Sequence, residues 1–263
     1  MAMIGLLIIL LLLAIALLAP FLAPYDPSGL DLAGNLASPS LAHPLGQDKL
    51  GRDILSRILY GARVSVKVGV FTVGISLIIG LAVGSLAGYA GRWADEIIMR
   101  IVDILMAFPG ILLAIAITAV LGPSLNHVIL ALCLTGWVGY ARLIRGQILS
   151  EREREYVQAA RSIGAGPLRI LRRHILPNTL APVIVEATFG MAGAILSEAG
   201  LSFLGLGTQP PTPSWGAMLN EGSHFLLIAP HLTIFPGLAI MLVVLGFNFL
   251  GDGLRDWMDV QIK

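Results

Sequence analysis

Residues 151–178 read EREREYVQAARSIGAGPLRILRRHILPN and stand between two apolar runs, 126–148 and 179–203. The stretch is too polar to lie in lipid and too patterned to be a slack linker. Glu151 to Ile163 suits a helix with Tyr156, Ala160 and Ile163 on one side. Gly164 and Gly166 stop that helix, and Pro167 fits the first turn of a second one. Leu168, Leu171 and Ile175 then recur at helical spacing, with Arg169, Arg172 and Arg173 on the other side, and Pro177 ends the element. The expected shape is helix, tight turn, short amphipathic helix, apolar run. Such a helix suits an anionic lipid surface. It equally suits a groove on a partner protein, and composition divides the two readings evenly.

The flanking runs set the class. Of 263 residues, 56% are hydrophobic and 13% charged, against about 25% charged in an average soluble domain. Roughly 20 apolar residues cross a bilayer as a helix. Six such helices are expected, over 4–23, 66–90, 97–121, 126–148, 179–203 and 232–251. The runs are continuous, unlike the short alternating segments of a β-barrel. The expected fold is therefore an all-α membrane protein with six transmembrane helices, long loops at 24–65 and 204–231, and the patterned loop at 151–178. Met3 to Ala23 has no Lys or Arg before it and exceeds the about 7–15 residues of a signal core, so it reads as a retained anchor. A division into 1–65, anchor and loop, and 66–263, a five-helix core, follows.

Basic residues accumulate on the cytoplasmic side of a membrane. With the N-terminus inside, Lys49, Arg52, Arg57, Arg63 and Lys67 fall outside, and the other twelve of the 17 Lys and Arg, from Arg92 to Arg255 and Lys263, fall inside. Both termini are thus expected to be cytoplasmic. Segments 122–125 and 204–231 hold no Lys or Arg. The basic stretch 49–67 runs against the count, but long outer loops cross largely regardless of charge.

Gly80, Gly84 and Gly88 stand at four-residue spacing, which suits a face where two helix backbones approach closely. Three acidic residues fall in or near spans. Asp103 lies close to Arg100 and is expected to pair with it. Glu186 is a candidate for the inner cavity, and Glu198 for a translocation gate. Net charge is +1, which points to no nucleic-acid partner. Cys133 is the single cysteine, so no intrachain disulfide forms, and it reads as a small buried hydrophobe. The histidines lack compact ligand spacing, so no metal site is expected. No GxxxxGK[ST] loop, HExxH or GxSxG is present. The chain reads as a non-enzyme that binds no cofactor. A self-contained secondary transporter predicts inverted repeats and midplane charges, and a membrane enzyme predicts a catalytic dyad at membrane depth; neither pattern is visible.

Residues 151–178 resemble the "EAA" loop of bacterial ATP-binding-cassette importer permeases, through Ala159, Ala160 and Gly164 and then Ile175, Leu176, Pro177 and Asn178. The family's usual Glu before the two alanines is Gln158 here, with Glu155 one turn earlier; the change bears on one ionic contact and not on docking. HPLGQDKLGRDILSRILYGARVSVKVG at 43–69, AFPGILLAI at 107–115, ILPNTLAP at 175–182, LSFLGLGTQPPTPSWGAML at 201–219 and FNFLGDGLRDWMD at 247–259 resemble the C-type subunit of dipeptide, oligopeptide and nickel importers. The resemblance spans nearly the whole chain.

It implies a multi-pass permease of the bacterial inner membrane. Its implied partners are a B-type permease, two cytosolic ATPase subunits or domains, an extracytoplasmic substrate-binding protein and membrane lipid. Mg-ATP would be held by the ATPases, not by this chain. Glu155, Gln158, Ala159, Ala160, Gly164, Leu168, Leu171, Arg172, His174, Pro177 and Asn178 would form the ATPase-docking loop. The loop 204–231, with Trp215, Met218 and Phe225, would face the binding protein. The expected cargo is a di- or oligopeptide, with nickel complexes and glutathione as alternatives.

Overall fold

A computed structural model describes residues 1–260; Lys263, counted above with the inner basic residues, lies outside the described residues. Long helices build the bundle: α1 (Ala2–Leu22), α2 (Ile54–Tyr89), α3 (Arg92–Met106), α4 (Gly110–Leu121) and α5 (Leu125–Glu151). Then come α6 (Glu155–Ser162), α7 (Pro167–Ile170), α8 (Leu176–Phe203), α9 (Trp215–Ser223) and α10 (His231–Val260). Five helical elements are long and apolar enough to span a membrane by themselves, and α3 with α4 makes a sixth if the bent pair is one span. Residues 151–178 lie at one end of the bundle, the loop end. Residues 23–53 and 204–230 lie at the other, the hairpin end.

Four expectations need correction. The helix expected over 97–121 is broken: α3 and α4 meet at 81°. Pro109 lacks an amide hydrogen and drives Phe108 out of helical geometry, so the backbone turns there. The span expected to start at 66 starts at Ile54, because the Asp53 carboxylate accepts from the Ser56 amide at 2.7 Å and caps it. Arg57, Arg63 and Lys67 interrupt the apolar run and hide these first turns in the sequence. Loop 204–231 holds a regular helix, α9, once its prolines have passed; the Ser214 hydroxyl caps it by accepting from the Ala217 amide at 3.3 Å. Pro177 does not end a helix. α7 continues into α8 through a π turn at Leu171–Ile175, where the Leu176 amide donates to the Leu171 carbonyl. The extra residue in that turn gives the proline ring room.

α2 and α5 form the centre. At about 1.5 Å per residue, the 36 residues of α2 reach roughly 54 Å, well beyond the about 30 Å of hydrocarbon in a bilayer. A Cβ on Gly80 would stand 2.4 Å from the Tyr140 Cβ, one on Gly84 2.5 Å from the Ala141 carbonyl oxygen, and one on Gly88 3.0 Å from the Ile148 Cβ. The expected glycine face is thus the α2–α5 contact. A second close crossing joins α1 to α10. A Cβ on Gly5 would stand 2.6 Å from the Gly246 carbonyl oxygen, and one on Gly253 2.1 Å from the Ala2 Cβ.

The hairpin end is tied by buried charge. Arg52 donates to Asp48 at 2.6 Å through Nε and to Glu221 on α9 at 2.6 Å through Nη2. Arg57 lies 3.5 Å from Asp48 and 3.7 Å from Glu221. Two guanidinium groups and two carboxylates make a neutral knot, and only Glu221, its side chain 19% exposed, reaches the surface. The knot fastens residues 46–57 to α9, and Trp215 beside it donates from Nε1 to the Ile58 carbonyl at 3.0 Å.

Gly84→Leu forces a branched side chain into the α5 backbone, a strain of about 1–3 kcal/mol. Heat denaturation of detergent-solubilised protein should show a midpoint lowered by several degrees. Gly74→Leu, whose Cβ meets nothing within 4 Å, should leave the midpoint unchanged. Glu221→Gln leaves the knot with surplus positive charge and should cost about 3 kcal/mol by the same measurement. An unchanged midpoint for Glu221→Gln would show that the knot carries no stability.

Candidate functional site

The loop at 151–178 is seated, not slack. Val157 and Ala160 of α6, Ile170 of α7 and Ile175 of the π turn are buried against Ile144 and Ile148 of α5. The turn between α6 and α7 is closed by the Gly164 amide donating to the Arg161 carbonyl at 3.0 Å, and the Ala165 amide to the Ala160 carbonyl at 3.0 Å. Gly164 takes φ +82°, a left-handed conformation that favours glycine. Asn178 Nδ2 donates to the His174 carbonyl at 2.7 Å and to the Tyr156 hydroxyl at 3.0 Å. The Tyr156 hydroxyl bonds the Glu151 carboxylate, and desolvation together with that bond pushes its pKa up. α6 is therefore clamped to the end of α5 and the start of α8. Gln158 Nε2 donates to the Glu153 carbonyl at 3.0 Å.

The face presented to solvent differs from the expected stripes. The buried side of α6 is Val157 and Ala160, whereas Ile163 stands 86% exposed. Of the second stripe, Ile175 is buried with Ile170, Leu171 is half-buried and Leu168 stands 66% exposed. Glu155, Gln158, Ala159, Gly164, Leu168, Arg172, Pro177 and Asn178 are exposed, and His174 is half-buried. Two bare apolar side chains, Ile163 and Leu168, thus flank the Gly164 turn among charged neighbours.

Acidic residues of α3 tie the loop end further. Asp103 does not pair with Arg100 as expected; it bonds Arg142 of α5. Asp95 holds Arg145 with both carboxylate oxygens, one of them 2.6 Å from Nη2. The α2–α3 turn brings α3 back along α5, so the cross-helix partner is nearer than the neighbour in sequence.

Between α2, α5 and α8 lies a groove of about 270 Å³, opening beside the start of α4. Thr72, Ser76, Thr135, Tyr140, Glu186 and Ser197 line it together with a run of glycines. Glu186 is exposed to this groove, while Glu198 is 1% exposed. The Glu198 carboxylate accepts from the Ser202 hydroxyl at 2.6 Å, and that hydroxyl accepts from the Thr208 amide at 3.1 Å. In this structure Glu198 is buried and holds the start of the 204–214 segment. Trp215 and Met218, expected to face outward, are 3% and 5% exposed and pack against α1, α2 and α10, with Phe225 half-buried against them. The exposed large apolar residues of the 204–230 segment are Leu204, Leu226, Leu227 and Ile228. Amphipathic spacing inside α9 made Trp215 and Met218 inward residues, and only the presence of that helix could have revealed it.

Known proteins share this architecture. A chain of the MetNI methionine ABC transporter, solved in inward facing conformations, superposes with a TM-score of 0.63 over 77% of this chain and 97% of its own, at 21% identity, a likeness of fold. The dipeptide transport system permease protein DppC of Alkalihalophilus pseudofirmus is 49% identical over 263 residues, 100% of this chain and 86% of that protein. The glutathione transport system permease protein GsiD of Escherichia coli is 52% identical over 264 residues, 100% of this chain and 87% of that protein. Residues 1–42 match the N-terminal TM domain of oligopeptide transport permease C. Residues 80–263 match the inner membrane component of binding-protein-dependent transport systems, and with identities near one half over its full length the chain belongs to that family of ABC importer permeases.

Proposed function

We propose that the chain carries di- or oligopeptides, delivered by an extracytoplasmic binding protein, across the inner membrane as one of two permease subunits. ATP is hydrolysed on two partner ATPase subunits or domains, with Mg-ATP held there and none on this chain. The observation that carries the reading is the seated loop at 151–178. Its rear is buried on α5 and its front is a small apolar knob, Ile163 and Leu168, ringed by arginines. A groove on an ATPase receives such a knob. ATP-driven closure of the two ATPases draws the knobs together and swings α5 and α8 between inward-open and outward-open states. The drive requires a stiff connection, because a slack one transmits no difference in free energy between states.

The loop end is the cytoplasmic one in this reading, with both termini there. The count of Lys and Arg, twelve at the loop end against five at the hairpin end, supports it. The 24–53 and 204–230 segments then form the platform for the binding protein, through Leu226, Leu227 and Ile228 rather than the buried Trp215 and Met218.

Glutathione is the second reading for the cargo, favoured by 52% identity to a permease named for it. Both cargoes are small peptides with a free amino group and carboxylates, so the fold admits either.

Leu168→Glu places a carboxylate on an exposed knob without touching the core. In membranes holding the whole importer, ATPase recovered with the tagged permease should fall about tenfold, the equivalent of 1.4 kcal/mol, and uptake with it. Undiminished recovery and uptake would remove the loop from the docking surface. Labelled dipeptide uptake challenged by excess glutathione separates the cargoes: competition assigns glutathione, and its absence with competition by other dipeptides assigns peptides.

A further inference from the structure

Three hydroxyl groups in the central groove have no hydrogen-bond partner although their residues are nearly closed off. Thr72 Oγ1, Ser76 Oγ and the Tyr140 hydroxyl are all without one, and their residues are 6%, 1% and 6% exposed. Buried hydroxyls are normally satisfied, and leaving three orphaned in one place is costly. All three line the groove that also holds Glu186. The Tyr140 oxygen lies where a Cβ on Gly190 would meet it at 2.2 Å, and Gly190 is one helical turn beyond Glu186 on α8. The Ser76 oxygen lies 2.7 Å from the position of a Cβ on Gly136. Glycine at 136 and 190 therefore lets the two hydroxyls sit directly against the α5 and α8 backbones at the edge of the groove.

Glu186 is the acidic member of the set. It stands about 10 Å along α8 from Thr179 at about 1.5 Å per residue, inside the apolar run 179–203 and nearer its loop end. Among the described residues it has no ion-pair partner, unlike Asp95 and Asp103. A carboxylate inside a span, without a cation beside it among the described residues, is free to meet one from outside the chain. The surrounding groups can all accept a hydrogen bond, and Glu186 adds a carboxylate. That set suits a compact cation with several N–H donors.

We propose that Glu186, with Tyr140, Thr72 and Ser76, forms a subsite within the membrane for the primary ammonium group of the carried solute. The inference rests on the peptide reading above and extends it to the residues that meet the peptide's amino end. Each contact is made only while the solute is inside the groove, so the site selects for a free amine after release from the binding protein. A peptide and glutathione both carry such a group.

The test uses the complete importer in liposomes, with its binding protein and ATPases, measuring dipeptide uptake and ATP hydrolysis stimulated by the loaded binding protein. Glu186→Gln should lower uptake about tenfold, the size expected for one lost hydrogen bond to a charged group. Stimulated hydrolysis should remain. Glu186→Asp should recover part of the uptake, and Tyr140→Phe should lower it less than Glu186→Gln does. Parallel loss of uptake and hydrolysis in Glu186→Gln would assign the carboxylate to assembly with the partner permease and overturn the subsite. Unchanged uptake in Glu186→Gln would overturn it while leaving the peptide reading standing. A wild-type importer that moves neither dipeptide nor glutathione would overturn both.

Discussion

The close approach of α2 and α5 is the constraint on which the rest of the bundle depends. In lipid, helices gain nothing from burying apolar surface against each other, so association rests on how near the backbones come. Gly80, Gly84 and Gly88 remove every side chain from one stripe of α2, and Tyr140, Ala141, Ile144 and Ile148 fill it. The same two α5 isoleucines turn their other sides to Val157, Ile170 and Ile175. One helix, α5, thus binds the centre of the bundle on one face and the loop at 151–178 on the other. The loop and α2 are joined through the packed side chains of one helix.

The two ends of the molecule are stiffened by different physics. At the hairpin end, Asp48, Arg52 and Arg57 are buried with Glu221 at the edge, and their mutual neutrality makes burial tolerable. The knot ties α9 to the start of α2, so the segment between α8 and α10 is a fixed part of the body. At the loop end, ion pairs from Asp95 and Asp103 to Arg145 and Arg142 are more exposed and brace α3 on α5. Exposed pairs contribute little stability, so α3 and the break at Pro109 form the more yielding part of the bundle. The groove opens beside that break. In the proposed cycle, a stiff lever from loop to core combined with a yielding α3–α4 corner lets the lining of the groove change while α2 and α5 stay together.

Much was legible in the sequence because the membrane enforces it. A backbone in lipid must satisfy its own hydrogen bonds, so long apolar runs are helices, and 126–148, 179–203 and 232–251 fall inside α5, α8 and α10. The glycine spacing marked a packing face because no other residue permits such contact. The loop at 151–178 was legible through Gly164, which takes the left-handed turn, and Pro167, which opens α7.

What the sequence determined by itself was therefore the class, the long apolar helices at 126–148, 179–203 and 232–251, and the presence of a patterned polar loop. Only the tertiary structure decided which residues face inward. Ile163 and Leu168 stand bare while Val157 and Ile170 are buried, because α5 meets α6 and α7 at an angle that periodicity does not encode. Arg52 and Arg57 read as loose positive charge until Glu221, 169 residues from Arg52 in the chain, was brought beside them. Asp103 chose Arg142 over Arg100 for the same reason. Local pattern reports what a segment does with its own hydrogen bonds. Partners across helices are set by three-dimensional distance, and no single stretch of sequence carries that information.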